Sequence, residues 1–367
     1  MRFRILGITP FKYNNASRYY HFFYFLAHRH KIVEVLNSIL PFPYRVQNAI
    51  RNFCPNRSKR SQKLHKNIWS FIKKSQLCEC EIRKLKDDID IIFQIGCLSS
   101  PYIGHILKPY YVYIDSTMRM AEREYPIWAP FDSIKERDSW ISLEKNVYRN
   151  AKRVFTMSEY TKNVLTRDYG INESRVKTVY AGLNRYEVPE FDKKYDKRII
   201  LFVGRNFERK GGFTILRALK EVKKQIKDVT LIIVGCKPEV DAPSVIVKSF
   251  VKRGELLSLY RDASVFVMPS MYEPFGLAFL EAMAHKMPCI GSTKNAMPEI
   301  IKENETGFLI PPGDYKALVD RVVFLFRNED VMKKMGRKGW SRVKEMFTWD
   351  RVVSRMTNQF EKDLGVI

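Results

Sequence analysis

Four charged residues stand where the local pattern turns from strand to helix, and their types suit an anionic, hydroxyl-rich ligand. Glu273 lies in the run Val267-Met268-Pro269-Ser270-Met271-Tyr272-Glu273-Pro274-Phe275-Gly276-Leu277, and Glu281 follows on the next apolar stretch. A helix rises about 1.5 Å per residue, so this spacing separates the two carboxyls by roughly 10 Å or more. A glycosidase acid–base pair needs about 5 to 9.5 Å. The two could therefore hold different parts of one ligand; equally, Glu281 could be a solvated helix residue and Glu273 an ordinary loop residue. Upstream, Arg205 and Lys210 are set among Gly204, Gly211 and Gly212 in the run G-R-N-F-E-R-K-G-G. Two cations on a glycine-rich turn before a helix make a diphosphate site by ordinary electrostatics, and glycine lets a backbone approach a ligand closely. A basic surface loop is the plainer alternative.

These residues need particular elements beneath them. Ala263 to Met268 has the length and β-branched content of a buried strand. Pro269, Pro274 and Gly276 mark a loop, and from Leu277 the apolar residues recur three or four apart, as in a helix. In an open parallel sheet, ligands sit at such strand ends. The unpaired first-turn N–H groups near Phe275, Gly276 and Leu277 can receive anionic or hydroxyl oxygens. Arg198 to Gly204 reads as the strand before the basic turn, with a helix from Phe213. Tyr110 to Asp115 reads as another strand with Asp115 at its C-terminal end, where that carboxylate could orient an acceptor hydroxyl or take its proton, or simply cap the next helix. His105 is a weaker candidate. Further strands are expected at 1–9, 32–35, 90–96, 152–158, 229–235, 244–250 and 287–291. Helices are expected at 19–30, 140–151, 251–261, 314–328, 330–338 and 349–364.

The string E-P-F-G-L-x-x-x-E, followed by A-M-A and P-C-I-G-S, resembles the E-x7-E signature of retaining GT-B glycosyltransferases of the group 4 (glycosyltransferase family 4) type. The basic turn resembles that family's G-R-x-x-x-x-K-G. Lys152 to Ser158, Val176 to Asn184 and Phe347-Thr348-Trp349 resemble its junction, linker and final-helix segments, and Thr306 to Asp314 resembles a hairpin. The resemblance implies an α/β fold of two Rossmann-like domains facing an interdomain cleft. It implies an acceptor-side domain over 1–190, a nucleotide-sugar domain over 191–347, and a last helix, 348–367, returning to the first. It implies that Arg205 and Lys210 clamp a diphosphate, that Glu273 contacts the donor sugar with the amides of Phe275, Gly276 and Leu277, and that Glu281 holds the ribose. The segment 247–251 would border the nucleobase. No resident cofactor or metal is implied; the donor is a UDP- or GDP-sugar and the acceptor a glycan or lipid-linked hydroxyl. The first half agrees with the family only in outline. Asn14-Asn15-Ala16-Ser17 replaces its glycine-rich loop, so no phosphate contact is assigned there.

Composition bounds the rest. A chain of 367 residues with 45% hydrophobic and 28% charged residues is a soluble globular type with room for two α/β domains. The apolar run at the N-terminus is too short for a signal peptide and reads as a strand. No run approaches a membrane span of about 20 residues, and the six scattered cysteines show no zinc spacing. The expected compartment is the reducing cytoplasm. The net charge of +24 points to anionic partners. It is concentrated: no Asp or Glu occurs between Glu34 and Glu79, a stretch holding Arg45, Arg51, Arg57, Lys59, Arg60, Lys63, Lys66, Lys73 and Lys74. Residues 44–75 interleave those cations with apolar residues at helical spacing, which suits a peripheral contact at an anionic membrane surface. A packed helix pair with a solvated basic face fits the same pattern. Specific nucleic-acid binding is not expected, for no reading motif accompanies the charge. Two alternatives to a transferase stand: a basic membrane- or nucleic-acid-binding protein on a degenerate GT-B scaffold, and a sugar-nucleotide epimerase, which would need an acidic, histidine-rich cleft that is not found. A dehydrogenase would need G-x-G-x-x-G after the first strand.

Overall fold

The computed structural model describes residues 2–14 and 19–366, without the side chains of 57 and 58. Asn15, Ala16 and Ser17 of the glycine-free loop therefore lie outside the described residues. The chain divides into two compact units, 1–180 with 352–367, and 181–351.

The first unit is a six-stranded parallel sheet of β1 (Arg4–Thr9), β2 (Lys31–Asn37), β3 (Ile91–Ile95), β4 (Tyr110–Ile114), β5 (Arg153–Thr156) and β6 (Val176–Thr178), in the order β2-β1-β3-β4-β5-β6. Every residue of β3 and β4 is buried, the pattern of central parallel strands covered on both faces. Two of the three β4 tyrosines satisfy their hydroxyls, and that of Tyr111 is buried without a partner among the described residues. Tyr110 Oη donates to Val147 O at 2.7 Å and Tyr113 Oη to Tyr180 O at 2.6 Å. The last helix, Trp349–Asp363, joins this unit from Val352 on. Arg153 reaches the Asp363 carboxylate with Nε at 2.8 Å. His30 Nδ1 accepts the Phe3 N–H at 3.3 Å and its Nε2 donates to Thr357 Oγ1 at 2.9 Å. Burial lowers His30 to about 4, which keeps the ring neutral for both bonds.

The second unit repeats the plan with β7 (Ile199–Val203), β8 (Thr230–Val234), β9 (Val245–Lys248), β10 (Val265–Val267), β11 (Cys289–Ser292) and β12 (Gly307–Ile310), all parallel, in the order β12-β11-β10-β7-β8-β9. The order reverses between β7 and β10, so the loops leaving those two strands flank a topological switch point.

Four expectations are corrected. The chain changes units at 180/181, ahead of the 190/191 boundary, because residues 181–184 are built into the second unit: Leu183 N donates to Phe347 O at 2.7 Å, and a Cβ on Gly182 would strike Trp349 at 2.5 Å. Thr306 to Asp314 is no hairpin; Gly307–Ile310 is an edge strand parallel to β11. The helix expected from Trp140 spans Ile134–Asn150, because Ser133 caps it by accepting the Glu136 N–H at 3.1 Å. The acid-free stretch forms three helices, Phe42–Arg51, Arg57–His65 and Ile68–Leu85, but its lysines do not all lie on a solvated face. Lys74 is buried against His65 O, Lys66 donates to Trp128 O at 2.6 Å, and Lys63 pairs with Asp132. Burial lowers both Lys66 and Lys74 to about 8.

Candidate active site at a charged switch point

The loop after β7 and the loop after β10 are tied together before any ligand enters. Met271 N donates to Arg209 O at 2.8 Å. Gly211 has φ +79°, and a Cβ there would stand 2.2 Å from Pro269 O. A side chain at this position would thus push the two loops apart, in addition to its backbone strain. The glycines serve protein packing: the space at Gly204 is filled by Lys210 Cδ (2.1 Å from an added Cβ) and that at Gly212 by the Phe207 ring. At Gly204 the missing side chain lets the Lys210 stem fold back across the strand end.

That fold-back delivers Lys210 Nζ to Glu273 Oε2 at 2.8 Å, with Met268 Sδ 3.1 Å away. Arg209, not singled out by the spacing, is a buried member of the cluster. It is 8% exposed, its Nη1 donates to Tyr272 O, and the same atom lies 3.4 Å from Glu273 Oε2. Glu273 N in turn donates to Asn295 Oδ1 at 3.0 Å, and Arg209 N to Asn206 Oδ1 at 2.8 Å. A buried carboxylate with two cationic partners and an anchored backbone answers the alternative of an ordinary loop glutamate, since such charges are kept inside only when paired and hydrogen-bonded. Arg205 is exposed, and among the described residues it has no hydrogen bond or ion pair.

Three residues on, Gly276 takes φ +102° and caps the helix Leu277–Ala284; a Cβ there would meet the Phe279 ring at 2.8 Å. In the first turn of that helix the Phe279 N–H donates to Gly276 O at 3.0 Å, and the N–H groups ahead of it precede the first intrahelical acceptor. Phe275 is buried, and Leu277 is partly exposed. Glu281 lies on the same helix. Tyr260 Oη donates to Glu281 Oε2 at 2.9 Å, His285 Nδ1 donates to Glu281 O at 2.6 Å, and the Tyr260 and His285 rings stack 5.2 Å apart. Arg185 Nη1 meets His285 Nε2 at 3.3 Å. Desolvation raises the Glu281 carboxyl, opposed by Tyr260, Arg253, Arg185 and Lys210. That Lys210 acts on both Glu273 and Glu281 places the two carboxylates in one electrostatic neighbourhood. Glu281 is therefore a held residue and not a solvated one. Tyr260 and His285, like Arg209 and Asn295, were not singled out from the sequence; R-K adjacency flagged Arg209 at most, and nothing local marks Asn295. After β9, Phe250 is 82% exposed, in the segment expected beside a nucleobase.

In the first unit Asp115 follows β4, one strand away from that sheet's own switch point. It does not cap the next helix: Thr117 does, accepting from Met120 N at 3.3 Å. Asp115 Oδ1 accepts from Ser116 Oγ at 3.2 Å, and its carbonyl accepts from Thr161 Oγ1 at 2.8 Å. His105 is exposed in a loop. Among the described residues no group of three or more His, Cys, Asp and Glu could hold a metal ion.

Residues 186–342 match the family described as Glycosyl transferases group 1. Spore coat protein SA of Bacillus subtilis (strain 168) is 25% identical over 267 residues, covering 64% of this chain and 70% of that protein. Sucrose-phosphate synthase from Thermosynechococcus elongatus superposes with a TM-score of 0.73 at 19% identity, over 99% of this chain and 100% of that one. Anabaena Alr3699/HepE in complex with UDP-glucose superposes with a TM-score of 0.68 at 13% identity, over 98% and 100%. The matched segment contains Arg205, Arg209, Lys210, Glu273 and Glu281; residues 186–342 are thus similar to the glycosyl transferases group 1 family, and the twin parallel sheets give the chain the GT-B fold of its structural neighbours.

Proposed function

We propose that this chain is a glycosyltransferase, a retaining enzyme of the family 4 kind, moving a sugar from a nucleotide-diphosphate sugar to an acceptor hydroxyl in glycan, polysaccharide or glycolipid synthesis. The observation that carries the reading is the Lys210–Glu273 pair at 2.8 Å, held at a switch point by Arg209 and Asn295. In this reading the pair is the resting state of a donor site. The diphosphate recruits Lys210 together with the exposed Arg205, and Glu273, still held by Arg209, turns an oxygen to the sugar hydroxyls. The amides of Phe275, Gly276 and Leu277 receive sugar or phosphate oxygens. Glu281, oriented by Tyr260, accepts from the ribose, and the open ring face of Phe250 is offered to the base.

Transfer breaks the bond between the anomeric carbon and the diphosphate oxygen and forms a bond from that carbon to the acceptor oxygen on the same face. Negative charge grows on the departing diphosphate, where fixed cations contribute most to rate. The acceptor proton passes to a diphosphate oxygen or to Asp115. Asp115 belongs to the first unit, which is read as the acceptor side. No metal is assigned a role. The chain is read as cytoplasmic, with a peripheral membrane contact through residues 44–75.

The test is a panel of UDP- and GDP-sugars assayed for binding and for slow donor hydrolysis, with the anomer of any transfer product read by NMR. One donor bound and hydrolysed, with the product keeping the donor's anomeric configuration, is the expected result. Binding without turnover on any acceptor would favour a degenerate scaffold, and an inverted product would overturn retention.

A further inference from the structure

The helix Phe42–Arg51 is built inside out. Its one buried residue is polar, Asn48, whose Nδ2 donates to Leu64 O at 2.7 Å and whose Oδ1 accepts from Asn67 Nδ2 at 3.0 Å. Its apolar residues face outward. Phe42, Val46 and Ile50, each one turn from the next, are 69%, 43% and 74% exposed, and Phe53 just beyond the helix is 70% exposed. A soluble surface helix normally shows the reverse arrangement, and a contiguous exposed apolar stripe marks an interaction surface. Exposed cations frame it. Arg45 lies over the Phe42 ring at 5.7 Å, Arg60 over Phe53 at 5.7 Å, and Arg51 over Trp69 at 5.8 Å. No carboxylate occurs anywhere from residue 35 to 78.

We propose that this face, Phe42, Val46, Ile50 and Phe53 with Arg45, Arg51, Lys59 and Arg60 around it, docks on an anionic lipid bilayer. The apolar stripe is long enough to enter the headgroup–acyl boundary while the guanidinium groups stay at phosphate depth. A membrane is favoured over a protein partner by the charge: a stretch of 44 residues without one acidic side chain, carrying Arg45, Arg51, Lys59 and Arg60 beside the apolar stripe, matches a surface of one sign. The proposal narrows the contact offered by residues 44–75, since Lys63, Lys66 and Lys74 are engaged inside the fold and do not take part. It does not depend on the donor chemistry, because none of these residues lies in the second unit.

The test is cosedimentation of the full chain with vesicles of phosphatidylcholine alone and of phosphatidylcholine mixed with phosphatidylglycerol, at low and high salt. Binding to the anionic vesicles only, weakened by salt, is expected; each cation near such a surface multiplies partitioning about fivefold. Phe42→Ser with Ile50→Ser should lower partitioning about tenfold or more for each side chain lost. Arg45→Gln with Arg51→Gln should lower it about 25-fold. All four side chains are exposed, and donor hydrolysis should be unchanged in both variants. Equal binding to neutral and anionic vesicles, or none to either, overturns the proposal. So does a serine variant that abolishes self-association in analytical centrifugation while vesicle binding stays as it was, which would make the face an interface between copies.

Discussion

At the switch point of the first sheet, between β1 and β3, the strand ends carry neutral groups that bond to their own loops. Gln94 Nε2 donates to Gly96 O at 2.9 Å and to Ser99 O at 2.8 Å, and Thr9 Oγ1 donates to Phe11 O at 2.6 Å. At the equivalent point of the second sheet, between β7 and β10, the loops carry Arg209, Lys210 and Glu273 and bond to each other. One strand plan therefore supports an end built on neutral side chains and a charged one. The topology supplies the crevice; the loop residues decide whether it can hold an anion. The first unit keeps its buried charge elsewhere. Glu144 lies under the helix Met118–Glu124, accepting the Met118 N–H at 3.1 Å and the Tyr169 hydroxyl.

That contrast can be broken in order of expected effect. Lys210→Ala should lower kcat by roughly 10² to 10³ with the second unit still folded, as for removal of one charge-stabilising donor from an active site. Near-normal turnover in single-turnover assays would remove Lys210 from the transition state. Glu144 tests the first unit. Burial pushes its carboxyl up to about 7, opposed by Tyr169, Met118 and Lys66. The folded state thus prefers the protonated form: stability from this group is full below the usual carboxylate range and is lost as pH rises to about 7, by up to about 3 kcal/mol. Glu144→Gln should flatten that slope, read from hydrogen exchange of β4 and β5 amides between about pH 5 and about pH 8. An unchanged slope would place the titration elsewhere.

Asp115→Asn asks whether the first unit has any part in turnover. A loss of roughly tenfold in transfer, with donor hydrolysis preserved, fits an acceptor-orienting hydrogen bond to a charged group; equal loss of both activities would fit a folding defect. The smallest effect belongs to Tyr260→Phe. Losing one hydrogen bond to Glu281 should weaken donor binding by about 1 kcal/mol, roughly fivefold in KM, with kcat almost unchanged.

Strand content was legible because central parallel strands are apolar almost without interruption, as at Tyr110–Ile114 and Thr230–Val234. The two charged loops were legible because glycine and proline punctuate them. What escaped was every partner supplied from a distance. Asn295 reaches Glu273 across 22 positions, and Tyr260 reaches Glu281 across 21. Nothing in their neighbourhoods announces the role. The basic stretch misled in part for the same reason: a lysine counted as a surface charge in a sequence, like Lys66, can be drawn inward by a carbonyl 62 residues away.

Periodicity, turn residues and the spacing of Gly204, Lys210, Glu273 and Glu281 are local properties, and they alone set the α/β plan and marked where an anion could sit. Burial and pairing are not local. Only the folded chain turned Arg209 inward as the support of Glu273, handed Glu281 to Tyr260, filled the glycine gaps with protein and left Phe42, Val46 and Ile50 facing outward. The physical reason is that desolvation and hydrogen-bond geometry act between residues brought together by the sheets, and those distances exist only once the sheets have formed.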